Sequence, residues 1–133
     1  MRRKSRELAL QILFQTEFTP ELSISDMSSL FEKKIETSIV TYATMLVLGV
    51  KNNREKIDTN IQESSRHWKL DRMASVDRNI LRSAVFEMLY AAEIIEHKIV
   101  INESIEIAKV YGTQDSASFV NGILDQIIKN ERG

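Results

Sequence analysis

Turn-forming residues are what this chain has least of. Its 133 residues include four glycines and a single proline, Pro20. A β-rich chain of this length must reverse direction many times, and tight reversals draw on those two residues for their backbone geometry. Helices joined by few loops satisfy the shortage. The apolar spacing agrees. Ile35, Ile39, Tyr42, Leu46, Gly49, Val50, Asn53, Ile57 and Ile61 recur at three- and four-residue steps, the period of one helix face. The expected fold class is all-α, a single domain over residues 1–133 with six or seven helices.

The first helix is predicted from about Ser5 to Phe18. Thr19-Pro20 stops it, because the residue before a proline is pushed out of the helical region. Its apolar residues (Leu8, Ala9, Leu10, Ile12, Leu13, Phe14, Phe18) leave only a narrow strip around Gln11 and Gln15 polar. A helix apolar nearly all round is central to the core or shares its surface with a partner. A weaker helix is predicted over Ile24–Lys34, and a long third one over Glu36–Ser64. Gly49, in the middle of that third helix, lowers helix propensity in return for a close approach by another helix.

"SRHWKLDRM" breaks the period and reads as a connector, with Trp68 packing down on the core. Ser75 is the expected N-cap of the fourth helix, and Asp77 in its first turn suits the positive end of the dipole. Met73, Val76, Ile80, Ala84, Met88 and Leu89 form its buried stripe, through about Ala92. A fifth helix covers Ile99–Tyr111 and stops at Gly112 as a C′ residue. The last runs from Asp115 or Ser116 to Asn130. Its period continues through Asn121-Gly122, a pair that elsewhere marks a hairpin.

The charge balance is 18 basic against 19 acidic residues, a net of −1. No global attraction to nucleic acid or anionic membrane follows, so polyanion binding needs a local patch. Cysteine is absent, which removes disulfides, thiolate metal sites and cysteine nucleophiles, and fits a reducing, cytoplasmic setting. The opening "MRRKSRELALQILFQ" has the basic start of a secretion signal. Glu7, Gln11, Gln15 and Glu17 interrupt its apolar run before that run reaches the required length. Elsewhere, too, no apolar run approaches a membrane span.

Catalytic constellations are missing. His67 and His97 stand in unrelated segments, without a nucleophile or acid at a useful spacing, and read as exposed or structural. Glu103 and Glu106 lie one helical turn apart, but the repeated Glu-x-x-His of di-metal bundles is absent. The plainer reading pairs Glu106 with Lys109 at i,i+3 and has Glu103 cap or brace a neighbouring loop. Four scattered glycines make no phosphate-cradling loop. No enzyme activity, metal or cofactor is expected.

Two stretches qualify as binding surfaces. Arg2, Arg3, Lys4 and Arg6 form either a frayed, solvated terminus or an arm anchored to a rigid helix and able to hold RNA phosphates. "GTQDSASFVNG" leaves one helix and opens another, presenting backbone N–H groups suited to phosphate or simply capped. Phe119 within it is either core or a ring open to base stacking.

Taken together, "RRKSRELALQILFQ", "DRNILRSAVFEMLY", "INESIEIAKVYGTQDSASFVNGILD" and the Trp68 connector resemble the NusB family of bacterial transcription antitermination factors. The matching stretches span most of the chain, and the last is highly specific. The resemblance implies two roughly perpendicular three-helix bundles. It implies binding of boxA RNA in nascent ribosomal RNA transcripts together with NusE, also a small-subunit ribosomal protein. It further implies assembly with NusA, NusG and RNA polymerase, with no enzymatic step. By position it assigns Arg2, Arg3, Lys4, Arg6, Asp115 and Phe119 to RNA, and Phe14, Phe18 and Asp77 to NusE.

There are departures. Glu96 stands before His97-Lys98 where many relatives carry a proline, and Lys4 stands where arginine is frequent. A NusB-like domain is also found fused to RNA methyltransferases, but these 133 residues leave no room for a catalytic domain, so an adaptor is expected. The rival reading is a non-catalytic scaffold whose apolar first helix pairs with a second copy, a homodimer with a solvated basic terminus.

Overall fold

The computed structural model describes residues 2–21, 35–93 and 95–132. The helix expected over Ile24–Lys34 lies outside the described residues. Among those described, six α-helices follow one another: α1 (Arg2–Phe18), α2 (Thr37–Asn52), α3 (Arg54–Ser64), α4 (Ser75–Val85), α5 (His97–Tyr111) and α6 (Ser116–Arg132). A 3-10 turn, Leu70–Arg72, precedes α4, and a π turn, Phe86–Tyr90, prolongs it. No strand occurs among the described residues, so the all-α expectation holds there. No described helix is long and apolar enough to cross a membrane.

Helix α4 is the hub. It packs against α1, α2, α3, α5 and α6, and apart from Arg78 every residue from Asp77 to Val85 is buried. Helix α1 lies along α2, α5 pairs with α6, and α3 bridges α4 and α6. Ile12, Leu46, Ile57, Ile61, Leu81, Leu124 and Ile127 fill the interior. A polar clasp ties the end of α1 to this hub. Glu17 accepts hydrogen bonds from Ser75 Oγ (2.8 Å), Arg78 Nη2 (2.6 Å), Asn79 Nδ2 (2.9 Å) and Arg82 Nη1 (3.2 Å). Arg82 reaches on to Asp58 of α3 at 2.8 Å.

Several local expectations shift. The long third helix is broken at Asn53, whose φ is −116° and ψ 20°. There the Asn53 side-chain Nδ2 donates to the Gly49 carbonyl at 2.8 Å, beside its own backbone N–H at 3.1 Å. Asparagine offers the backbone a local alternative to helix, and α3 restarts one residue later. Gly49 itself behaves as expected, because an added Cβ would fall 2.2–2.6 Å from the Phe86 ring. Phe86 opens the π turn, its carbonyl accepting from Ala91 N at 2.9 Å.

Ser75 is not the N-cap of α4. Ala74 takes that place, and the Ser75 hydroxyl is used on Glu17. Helix α5 begins at His97, two residues earlier than predicted, with the Glu96 carbonyl accepting from Ile99 N (3.0 Å) and Val100 N (3.2 Å). The usual proline is therefore not needed for a clean start. Gly112 ends α5 at φ −96°, which is not left-handed. What requires glycine there is space, since a Cβ would meet Ser116 Oγ at 2.3 Å and the Ala108 carbonyl at 2.9 Å. Helix α6 runs unbroken through Asn121-Gly122, as its period indicates.

Candidate nucleic-acid and partner interface

The N-terminal cations are not a loose arm. Helix α1 starts at Arg2, so Arg2, Arg3 and Lys4 make up its first turn, and all three are exposed. No acidic residue stands in that turn, so their charge adds to the positive end of the helix dipole. Carboxylates from distant segments offset it. Arg2 Nη2 donates to both oxygens of Glu93 (2.9 and 3.1 Å), and its guanidinium lies 4.4 Å from the Tyr42 ring centroid. Arg3 donates to both oxygens of Glu103 on α5, at 2.9 and 2.8 Å. This pairing raises the Arg3 pKa and lowers that of Glu103.

Arg6 differs from its neighbours. Only 7% of it is exposed, and it is held by Glu87 through Nε (2.7 Å) and Nη2 (2.9 Å). Burial alone lowers the Arg6 pKa, but the hydrogen bonds to Glu87, together with the charges of Glu87 and Glu103 and the Tyr42 hydroxyl, outweigh it, and the group stays charged. Tyr42 also donates its hydroxyl to Glu87, at 2.6 Å. Burial and this contact with a carboxylate push the Tyr42 pKa well up. Of the four cations assigned to RNA, three face solvent and the fourth fixes the helix that carries them.

The second stretch lies between α5 and α6. Asp115 is exposed, and its carbonyl accepts from Phe119 N at 3.0 Å. Ser116 Oγ instead accepts from Thr113 N at 2.9 Å, closing the loop. Phe119 is half-buried, between the two readings of it. Trp68 corrects the sequence reading: rather than packing down on the core it is 57% exposed, standing edge-on to Phe119 with ring centroids 6.2 Å apart and planes at 89°. The connector that carries it is rich in polar side chains, and these pin its backbone at the surface.

The candidate partner surface centres on Phe14 and Phe18, whose rings stack obliquely at 5.0 Å and 58°. Phe18 is 67% exposed. Phe14 lines a shallow apolar groove with Leu10, Val76 and Tyr111, so the excess apolar surface of α1 is partly unburied. Asp77, next to Val76, is buried rather than on the surface. Its Oδ1 has no hydrogen-bond donor among the described residues.

The remaining titratable groups of interest are occupied. Glu106 pairs with Lys109 at 3.0 Å, while Glu103 braces α1 and not a loop. His97 Nε2 lies 3.3 Å from the Met88 carbonyl, and His67 is exposed. Glu93, Glu87 and Tyr42 are the site residues that sequence reasoning missed, and Glu103, singled out there, was given the wrong partner. Local spacing carries no sign of them, since they meet their arginines across 40 to 100 positions of chain.

Comparison with known proteins places this geometry. The NusB family model matches residues 3–129. Transcription antitermination protein NusB of Bdellovibrio bacteriovorus is 58% identical over 128 residues, covering 96% of this chain and 95% of the relative. The NusB structure of T. maritima superposes with a TM-score of 0.87 at 37% identity, covering 97% of this chain and 91% of that one. A crystal structure of the antitermination factors NusB and NusE in complex with dsRNA gives 0.84 at 27% identity, over 97% of this chain and 96% of that one. A match over nearly the whole length, in sequence and in backbone, makes this chain a member of the NusB family.

Proposed function

We propose that this chain is a non-catalytic RNA-binding adaptor, a transcription antitermination factor that binds boxA RNA of nascent ribosomal RNA transcripts together with NusE. In this reading it works in the cytoplasm and helps assemble a complex with NusA, NusG and RNA polymerase. The observation that carries the reading is the first turn of α1. Exposed Arg2, Arg3 and Lys4 are concentrated at a positive helix end, on a helix locked in place by the buried Arg6–Glu87 pair. Phosphates bind such an end through charge and through bidentate arginine contacts. Asp115 and Phe119 extend the RNA surface. Arg6 serves it by holding α1 and not by contact. The apolar groove at Phe14, the exposed Phe18 and the neighbouring Asp77 receive NusE.

Salt titration of single-stranded boxA-type RNA, with and without NusE, tests this. Three phosphate-neutralising cations give a log–log slope near about −2. Arg2→Ala with Arg3→Ala reduces it to about −0.7. A flat response, or affinity untouched by the double substitution, removes the arm from the RNA site. Self-association through Phe18 without NusE binding would favour the homodimeric scaffold instead.

A further inference from the structure

Trp68 stands where the fold gains little from it. Large aromatics contribute most when buried, yet more than half of this one faces solvent. The exposure is not that of a loose loop. The Trp68 carbonyl accepts from Gln62 Nε2 at 2.9 Å and from Ser65 Oγ at 3.3 Å. Its own N–H donates to the Ser65 carbonyl at 3.0 Å. The other end of the same Gln62 amide, Oε1, accepts from Leu70 N at 2.9 Å. Gln62 Nε2 also donates to the Ser65 carbonyl at 3.4 Å, so one glutamine ties down the chain on both sides of the tryptophan. The backbone is held and the ring is presented.

What surrounds the ring narrows what it is presented to. An edge-to-face pair with Phe119 uses the edge of one ring and one face of the other, and Trp68 keeps open surface. From Ser65 to Arg72 the cations Arg66, Lys69 and Arg72 stand exposed against a single acid, Asp71. That local excess occurs in a chain whose net charge is −1. Rigid aromatic rings interleaved with cations are the composition that binds single-stranded nucleic acid, rings taking bases and cations taking phosphates. An apolar protein partner would not call for the flanking charge.

We infer that Trp68 and Phe119 form a base-stacking platform for single-stranded RNA, with Arg66 and Lys69 of the same connector contacting the adjoining phosphates. The inference rests on the proposed RNA-binding function and extends it from the α5–α6 loop to the α3–α4 connector.

Trp68 is the chain's single tryptophan, so its emission reports directly on the platform. Unlabelled single-stranded boxA-type RNA is titrated against the protein with NusE while tryptophan emission is followed, the Trp68→Phe variant serving as the blank for any signal from NusE. Affinity is measured separately by anisotropy of end-labelled RNA. Quenching with the same midpoint as the anisotropy is expected. Trp68→Leu should weaken binding roughly 5- to 150-fold, the range for loss of one base–aromatic stack, while Trp68→Phe stays close to the parent.

RNA binding with unchanged Trp68 emission and full affinity in Trp68→Leu overturns the platform and leaves the RNA-binding function standing. Loss of NusE binding alone in Trp68→Leu also overturns it, making the ring a protein contact. Absence of RNA binding by the unaltered protein overturns both. Should Trp68→Leu fail to fold, the emission titration of the unaltered protein decides.

Discussion

Arg6 and Glu87 form a buried bidentate ion pair, 2.7 Å at its shortest, with side chains only 7% and 1% exposed. It joins the start of α1 to the π turn after α4. Removing one partner leaves an uncompensated buried charge, which costs about 3–5 kcal/mol. Arg6→Ala and Glu87→Ala are each expected to lose stability of that size in urea unfolding. Replacing both together with methionine should cost far less, because an apolar pair of similar volume is often neutral. Equal losses in single and double variants would contradict this account.

Gly49 and Gly122 make opposite predictions from the same residue type. A Cβ at Gly49 would meet the Phe86 ring at 2.2 Å, whereas nothing lies within 4 Å of one at Gly122. Gly49→Ala is expected to destabilise by about 1–3 kcal/mol through overpacking. Gly122→Ala, inside α6, should stabilise by about 0.5–1 kcal/mol through helix propensity alone. Thermal melts followed by circular dichroism separate the two.

Glu17 sets an acid limit on stability. Burial on its own would raise its pKa, but hydrogen bonds from Arg78, Ser75 and Asn79 more than offset this and hold the carboxyl at about 2, against an ordinary 4.5. Folding thus favours the ionised form. Its stabilisation is fully present above the unfolded pKa and is lost as pH falls through about 2. Glu17→Gln should flatten the decline in unfolding free energy between those values. An unchanged acid limb in that variant would place the effect elsewhere.

Arg2 and Glu93 present a competition. Their side chains are 42% and 58% exposed, so the pair contributes only about 0.2–1 kcal/mol. An RNA phosphate taking Arg2 must displace Glu93. Glu93→Gln is therefore expected to tighten RNA binding by roughly 1.4- to 5-fold, the same energy read as affinity. Weaker binding on anisotropy titration would mean that Glu93 positions Arg2 instead.

Asp77 is 9% exposed, and its Oδ1 has no hydrogen-bond partner among the described residues. Asp77→Asn keeps its shape and should change stability by less than about 1 kcal/mol while weakening NusE binding. Asp77→Lys, harmless at a surface position, should here destabilise by about 1–3 kcal/mol because it overfills a buried site. Calorimetric binding to NusE alongside thermal melts tests both.

Helix content and most of the core were legible because both arise from local repetition. Ala84 and Val120 lie on stripes of period 3.6 and are buried. Gly49 announced a close approach, and the clash with Phe86 is its physical content. Boundaries were less legible. Asn53 interrupts a stripe that its own side chain helps to terminate, and Ser75 gives its hydroxyl to Glu17, a residue 58 positions away.

By itself, the sequence determined an all-helical chain, the apolar excess of α1 and a cluster of cations at its start. Those properties depend on neighbours three or four residues apart, so periodicity reveals them. Tertiary structure alone decided what the cations do. Glu87 and Glu103 lie 81 and 100 residues from Arg6 and Arg3, so only the folded chain shows that Arg6 is a buried brace while Arg2, Arg3 and Lys4 remain at the surface. The same holds for Trp68. Its size predicted burial, and the hydrogen bonds of Gln62 and Ser65 to its backbone keep it outside.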